Sequence, residues 1–213
     1  SFSRNILITR DLGNVPIQTE PHIAVNPLDP EHLIVGVIDY NAPNVVSYVS
    51  IDAGQTWEGP FQPRYIDGDL GAGGDPIVDF DRDGNAYIAS ISIGFEEFTM
   101  FGIPFEETVS SIAVTKSADG GYTWGTPISS ARSKIILDIE QQGGSGVVGT
   151  ISLGFLDKPW MTVGPNALDP SKDVIYVTYT EFVTNYEIVT YLQGGLYAFQ
   201  NPSVDTTIRF VRS

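Results

Sequence analysis

The chain has 213 residues, 26 of them acidic against 11 basic, for a formal net charge of −15, and it contains no cysteine. Binding nucleic-acid phosphates needs clustered Lys and Arg, so this charge argues against a nucleic-acid partner; the missing thiols exclude disulfides and cysteine chemistry. Hydrophobic residues make up 42%, enough for a real core, yet no apolar run reaches the roughly 18 residues that a membrane-spanning helix needs.

The sequence starts in polar residues at Ser1, which fits a processed N-terminus or a cytosolic protein. The lack of cysteine tilts the expectation towards a secreted or cell-surface location. Residues 21–27, 33–38 and 45–49 are rich in β-branched and aromatic side chains and are separated by turn residues, predicting three strands. The third runs into Ser50-Ile51-Asp52-Ala53-Gly54-Gln55-Thr56-Trp57, and residues 60–66 supply a fourth strand. The order then repeats with strands at 75–80, 86–91 and 111–115, the segment Ser117-Ala118-Asp119-Gly120-Gly121-Tyr122-Thr123-Trp124, and a fourth strand within 127–136.

Both turn segments read S-x-D-x-G-x-T-W. Ser50, Asp52, Gly54, Thr56 and Trp57, like Ser117, Asp119, Gly121, Thr123 and Trp124, are expected to be structural. The carboxylate accepts N–H bonds across the turn, Gly supplies positive φ, and the indole packs over the loop. A turn built twice the same way implies a unit built at least twice. A Gly-rich connection at 140–152 leads to a third unit with strands at 158–163, 174–179 and 207–213. Its turn Asn166-Ala167-Leu168-Asp169-Pro170 echoes Asn26-Pro27-Leu28-Asp29-Pro30. The alignment places Ser213 at the first position of a third such turn. That predicts a portion of a longer polypeptide; a natural terminus at this point is the alternative.

The units are thus 20–66, 74–137 and 157–213, the last cut short at its turn. Four-stranded antiparallel units in series are the blades of a β-propeller, whereas a sandwich leaves the repeated turn unexplained. Three blades leave open edges, so the remaining blades would come from missing sequence, a second fragment or another copy.

These motifs resemble the Asp-box (BNR) repeats of sialidase-like propellers. The likeness covers about residues 20–213 and includes D-P-x-[IV]-x-[FV]-D-x-D-G at 75–84 and the Asp157-Lys158-Pro159-Trp160 run. It implies an all-β, sialidase-like β-propeller of four-stranded antiparallel blades, six when complete. The family's first inner strand carries an R-I-P sequence whose Arg clamps a carboxylate substrate. Here that strand reads Glu20-Pro21-His22-Ile23, and an acid there would repel such a substrate. The family's acid/base Asp corresponds to Asp39. Its Tyr–Glu nucleophile pair and its other Arg residues would fall in later blades.

Blade topology puts the S-x-D-x-G-x-T-W turns on one face and any site on the other. Glu20, His22, Asp75, Asp157 and Lys158 are expected to meet at the channel mouth, with Asp39, Glu96, Glu97 and Glu181 near its rim. They could hold a ligand, or be solvated charges of an acidic protein. Asp79-x-Asp81-x-Asp83-Gly84 imitates half of a calcium loop, but position twelve is Ser90, and Asp-Gly between two strands is itself a hairpin signal. Ca²⁺ is accordingly the one cofactor considered. Insertions at 94–108 and 182–205 read as long top-face loops; the second carries Tyr186, Tyr191, Tyr197 and Phe199, side chains suited to stacking on sugars or docking a protein. Two functions follow as expectations. One is an extracellular, non-catalytic module that binds a glycan or protein partner on this top face, within a larger surface assembly. The other is part of an exo-acting glycoside hydrolase with Asp39 as acid/base.

Overall fold

The computed structural model describes residues 5–9, 13–15, 17–42, 44–100, 102–142, 146–191 and 196–213. Among these there is no helix; twelve strands form three antiparallel sheets of four. The first sheet follows chain order through β1 (Gln18–Asn26), β2 (Asp29–Asp39), β3 (Asn44–Ser50) and β4 (Glu58–Phe61). The second does the same through β5 (Gly71–Phe80), β6 (Ala86–Met100), β7 (Ile103–Ser117) and β8 (Ile128–Arg132). The third contains β9 (Ile135–Gln142), β10 (Gly146–Pro165), β11 (Asp173–Tyr191) and β12 (Leu196–Arg212), in the spatial order β12-β11-β10-β9.

The second sheet lies between the other two. Val78, Phe80, Ala86 and Ile88 pack on Ile34 and Val45 of the first sheet, while Ile77, Ala89, Ile91 and Ile112 pack on Leu156, Met161 and Val177 of the third. Neighbouring residues of β5 and β6 therefore face opposite apolar surroundings. A strand buried on both faces reads as a continuous apolar run, and the Ala86–Ile91 stretch of β6 does so. Burying each Val or Ile contributes roughly 1.5–3 kcal/mol, and this centre supplies most of the contacts that stack the sheets.

Three expectations from the sequence need correction. The fourth strand of the first sheet, β4, is shorter and starts earlier than the 60–66 segment. The insertions at 94–108 and 182–205 and the connection at 140–152 are not loops but long hairpin arms. β6 and β7 pair out to Met100 and Ile103, β10 pairs with β9 from Leu153–Ile135 to Gly146–Gln142, and β11 and β12 pair out to Tyr191 and Leu196. Residues 143–145 and 192–195, and the side chains of Tyr191 and Tyr197, lie outside what is described. The arms bury one face against each other through Met100, Ile151 and Ile188, ringed by Phe98, Phe105, Leu153 and Tyr186. That mutual burial makes strands of segments rich in Gly and Glu. Lastly, the fourth strand of the third sheet is β9, which begins at the end of the segment assigned to the second unit, runs into the connection and lies along the first half of β10, so β12 is left as an edge.

Candidate functional site

Each first strand of the three units, β1, β5 and β10, breaks its ladder at the same place. The register shifts between Thr19 and His22, between Gly74 and Ile77, and between Asp157 and Trp160. At each break a residue just before a proline adopts positive φ: Glu20 at 54°, Asp75 at 53° and Lys158 at 49°. Proline has no N–H to give the ladder, so a bulge is where a strand tolerates it. Left-handed backbone at a non-Gly residue costs on the order of 1–3 kcal/mol and persists only when its surroundings hold it.

Here the neighbouring sheet holds it. Glu20 Oε2 accepts the Asp75 N–H at 3.0 Å, and Asp75 Oδ2 accepts the Lys158 N–H at 3.1 Å. The Lys158 ammonium also reaches Asp75 Oδ1 at 3.1 Å. One unit's acid thus fixes the strained backbone of the next. Lower on the same strands, His22 Nδ1 accepts the Val78 N–H at 3.2 Å, and Asp79 Oδ2 accepts from Val163 N at 2.7 Å and from Thr162 Oγ1 at 3.1 Å.

The result is a compact cluster of three carboxyls and one ammonium. A hydrogen bond with Asp75, together with burial, raises the Glu20 carboxyl above its ordinary range. Burial and then Asp75 raise Asp157 in the same way. Asp75 is pushed up by burial, but hydrogen bonds from Glu20 and Lys158 outweigh this and leave it below the usual carboxylate value. Asp75 raises Lys158 in turn. Asp75 is therefore the ionised centre, and its two acidic neighbours keep their protons longer than usual. Two residues beyond Lys158, Trp160 lies 55% exposed, with the His22 ring edge-on at 5.3 Å. An exposed indole beside clustered carboxyls offers an apolar stacking face and hydroxyl acceptors together.

His22 is neutral in this setting. Burial lowers its pKa against the opposing pull of Asp79, and the Val78 N–H occupies Nδ1, leaving the proton on Nε2. A depressed folded-state pKa stabilises the fold above the ordinary His value, and that stability is lost as pH falls below it. Urea midpoints measured between pH 7.5 and pH 5 should therefore fall more steeply for the parent than for His22→Gln. Parallel slopes in the two proteins would remove His22 from this role.

The remaining candidates stand apart. Asp39, buried at the end of β2, accepts through Oδ1 from the Asn41 N–H at 2.9 Å, from Asn41 Nδ2 at 3.1 Å and from Gln18 Nε2 at 3.4 Å, so it organises a turn. Glu181, opposite Leu156 in the ladder, is taken by Arg209 Nε at 2.6 Å. The Asp79, Asp81 and Asp83 segment forms a hairpin turn between β5 and β6. Asp79 reaches the third sheet, while Asp81 accepts from Asp83 N, Asn85 N, Asn85 Nδ2 and Tyr87 OH. Among the described residues no group of three or more His, Asp or Glu side chains is arranged to hold a metal.

The two S-x-D-x-G-x-T-W turns share one hydrogen-bond network. In each, the Ser hydroxyl donates to the Asp and accepts from the Gly N–H four residues on; the Asp accepts from both the backbone and the hydroxyl of Thr. Hydrogen bonds from the Thr56 hydroxyl and N–H hold Asp52 down at about 2. Burial pushes Asp119 up, yet Ser117 and Thr123 bring it below its usual value. Ser117 is buried, so Ser117→Ala leaves the Gly121 N–H unpaired. The melting temperature should drop by about 3–6 °C in a thermal scan, from about 1.5 kcal/mol.

The recurring X-Pro dipeptide in Glu20-Pro21, Asp75-Pro76 and Lys158-Pro159 is the signal that locates the site most directly. Motif reading missed the exposure of Trp160, because a tryptophan in a strand normally reads as core. The Arg132–Asp69 pair, at 3.1 Å with Asp69 almost fully buried, also carries no local sequence signature. No protein-family model matches the chain, and no curated protein matches it significantly.

Proposed function

We propose that this chain is part of a sialidase-like Asp-box propeller and works as an extracellular, non-catalytic module that binds a glycan at the Glu20–Asp75–Asp157–Lys158 cluster. The matching Ser–Asp–Thr networks of the two turns and the serial four-stranded sheets support the architectural half of this reading. The observation that carries the binding half is Trp160, exposed beside the cluster at the head of the first strands. Sugar rings stack their C–H faces on indoles, and their hydroxyls donate well to carboxylates. The acidic cluster suits a neutral, hydroxyl-rich glycan and disfavours a carboxylated one.

One observation speaks for hydrolysis: Glu20 and Asp75 are driven apart in pKa, as acid and base are in many enzymes. Their spacing opposes it. Glycosidase carboxyl pairs stand about 5–9.5 Å apart, whereas these two share a hydrogen bond. Screening the purified chain on a glycan array, alongside assays with fluorogenic sialosides and other aryl glycosides, tests the choice. Binding to neutral glycans without turnover is expected. Turnover abolished by Asp39→Asn would establish the hydrolase instead, and capture of proteins but no glycan would overturn the ligand class.

A further inference from the structure

The groove between the arms, about 340 Å³, is walled by Phe98, Met100 and Phe105 of the second sheet and by Ile151, Tyr186 and Phe199 of the third. We infer that it binds a small organic cation of the quaternary-ammonium class, its methyl groups held by the rings and its charge by Glu107. The inference goes beyond glycan binding and is independent of it.

The walls carry their aromatic rings in pairs. Phe98 and Phe105 face each other across the β6–β7 ladder and stack with centroids 5.5 Å apart. On the third sheet the Tyr186 and Phe199 rings meet edge-on at 6.2 Å. Phe98, Phe105 and Tyr186 rest on the buried cluster of Met100, Ile151 and Ile188, whereas Phe199 stays 49% exposed. The face of such a ring carries partial negative charge and attracts a cation within about 6 Å of its centroid.

A neutral apolar group would fit these walls as well, and the surrounding charge decides between the two. Glu107 lies two residues from Phe105 on β7, hence on the same face, and it lines the groove with Glu106 beside it. Its Oε1 accepts the Thr108 N–H at 3.0 Å, which holds the carboxylate in place. The ladder sets Glu107 opposite Glu96, and Glu106 opposite Glu97. Glutamate is depleted in strands, and like charges directly opposed across a ladder destabilise it. Among the described residues, none of these four carboxylates is in an ion pair.

The arm thus carries an uncompensated negative patch around aromatic walls. A metal ion or a bare ammonium, strongly hydrated, would answer the carboxylates but not the rings. A methylated ammonium answers both, since its charge lies under an apolar surface. The size agrees: about 340 Å³ stands at the small end of ligand sites, roughly 300–1,000 Å³, and suits a choline-sized cation.

The experiment is calorimetric titration of the full chain with choline and with 3,3-dimethylbutan-1-ol, which has the same shape but carbon in place of the charged nitrogen. Choline should bind saturably and about tenfold more tightly than the alcohol, and added salt should weaken choline alone. Phe199→Leu, at an exposed position, and Glu107→Gln, which keeps the oxygen that accepts from Thr108, should each weaken choline by about tenfold while melting close to the parent. Equal affinity for the two compounds would leave only an apolar groove and overturn the proposal. So would the absence of saturable choline binding, or undiminished binding by both variants. Sedimentation showing the parent as a dimer that Phe199→Leu dissociates would overturn it too, because a second copy would then fill the groove.

Discussion

Trp160→Ala should weaken glycan binding by about 30-fold in calorimetric titration, the loss of a central aromatic anchor being worth about 2 kcal/mol. Trp160 is 55% exposed, so truncating it removes little packing, and the melting temperature should stay close to the parent's. Trp160→Phe keeps a stacking face and should recover a large part of the affinity. This combination separates a ligand platform from a structural tryptophan such as Trp57, which is 9% exposed. A Trp160→Ala protein that binds as tightly as the parent would move the ligand elsewhere, with the groove between the arms, lined by Phe98, Phe105, Tyr186 and Phe199, as the next place to look.

Asp75→Asn and Glu20→Gln should shift stability in opposite directions at pH 7. Asp75 accepts from the Lys158 N–H and from its ammonium, and its folded-state pKa is depressed. Its stabilising effect is present above the ordinary carboxylate range and is lost as pH falls through the lowered value. Removing the charge should cost about 2 kcal/mol, or roughly 4–8 °C in melting temperature. Glu20 has the opposite sign: its raised pKa means that it favours the fold while protonated and loses that contribution as pH rises through the raised value. Glutamine mimics the protonated form and still offers an oxygen to the Asp75 N–H. Glu20→Gln should therefore melt at or slightly above the parent at pH 7, with the advantage vanishing in acid. Asp157→Asn should follow Glu20→Gln, because Asp157 is shifted in the same direction. If all three variants destabilised equally, the carboxyls would be acting as separate surface charges rather than as one cluster.

Much of this fold is legible in the sequence where local chemistry is decisive. The two S-x-D-x-G-x-T-W segments specify their turns largely alone, since the Ser–Asp–Gly–Thr hydrogen bonds that shape them lie within eight residues. The strands around 86–91 and 111–115 are equally plain, because burial on both faces selects an unbroken run of apolar and small residues. The arms are hidden by contrast: Glu96, Glu97, Glu106 and Glu107 read as loop, and only packing against Ile151 and Ile188 tells otherwise. β9 is concealed for the same reason, as its residues Ile135–Gln142 straddle the end of one unit and a Gly-rich connection and pair as a strand only with β10. At the site, the charged residues Glu20, Asp75, Asp157 and Lys158 can be listed from the sequence. Their linkage cannot, because it depends on one sheet's carboxylate meeting the next sheet's strained N–H, 55 and 83 positions away.

In the proposed complex a glycan lies on Trp160 above the Glu20–Asp75–Asp157–Lys158 cluster. An NMR titration with the best-bound neutral glycan from the array tests it most directly. The account predicts that shifts concentrate on the Trp160 indole N–H, the His22 ring and the backbone amides of Glu20, Asp75 and Lys158. Shifts confined to Phe98, Phe105 and Tyr186 on the arms, with the Trp160 indole unmoved, would contradict it.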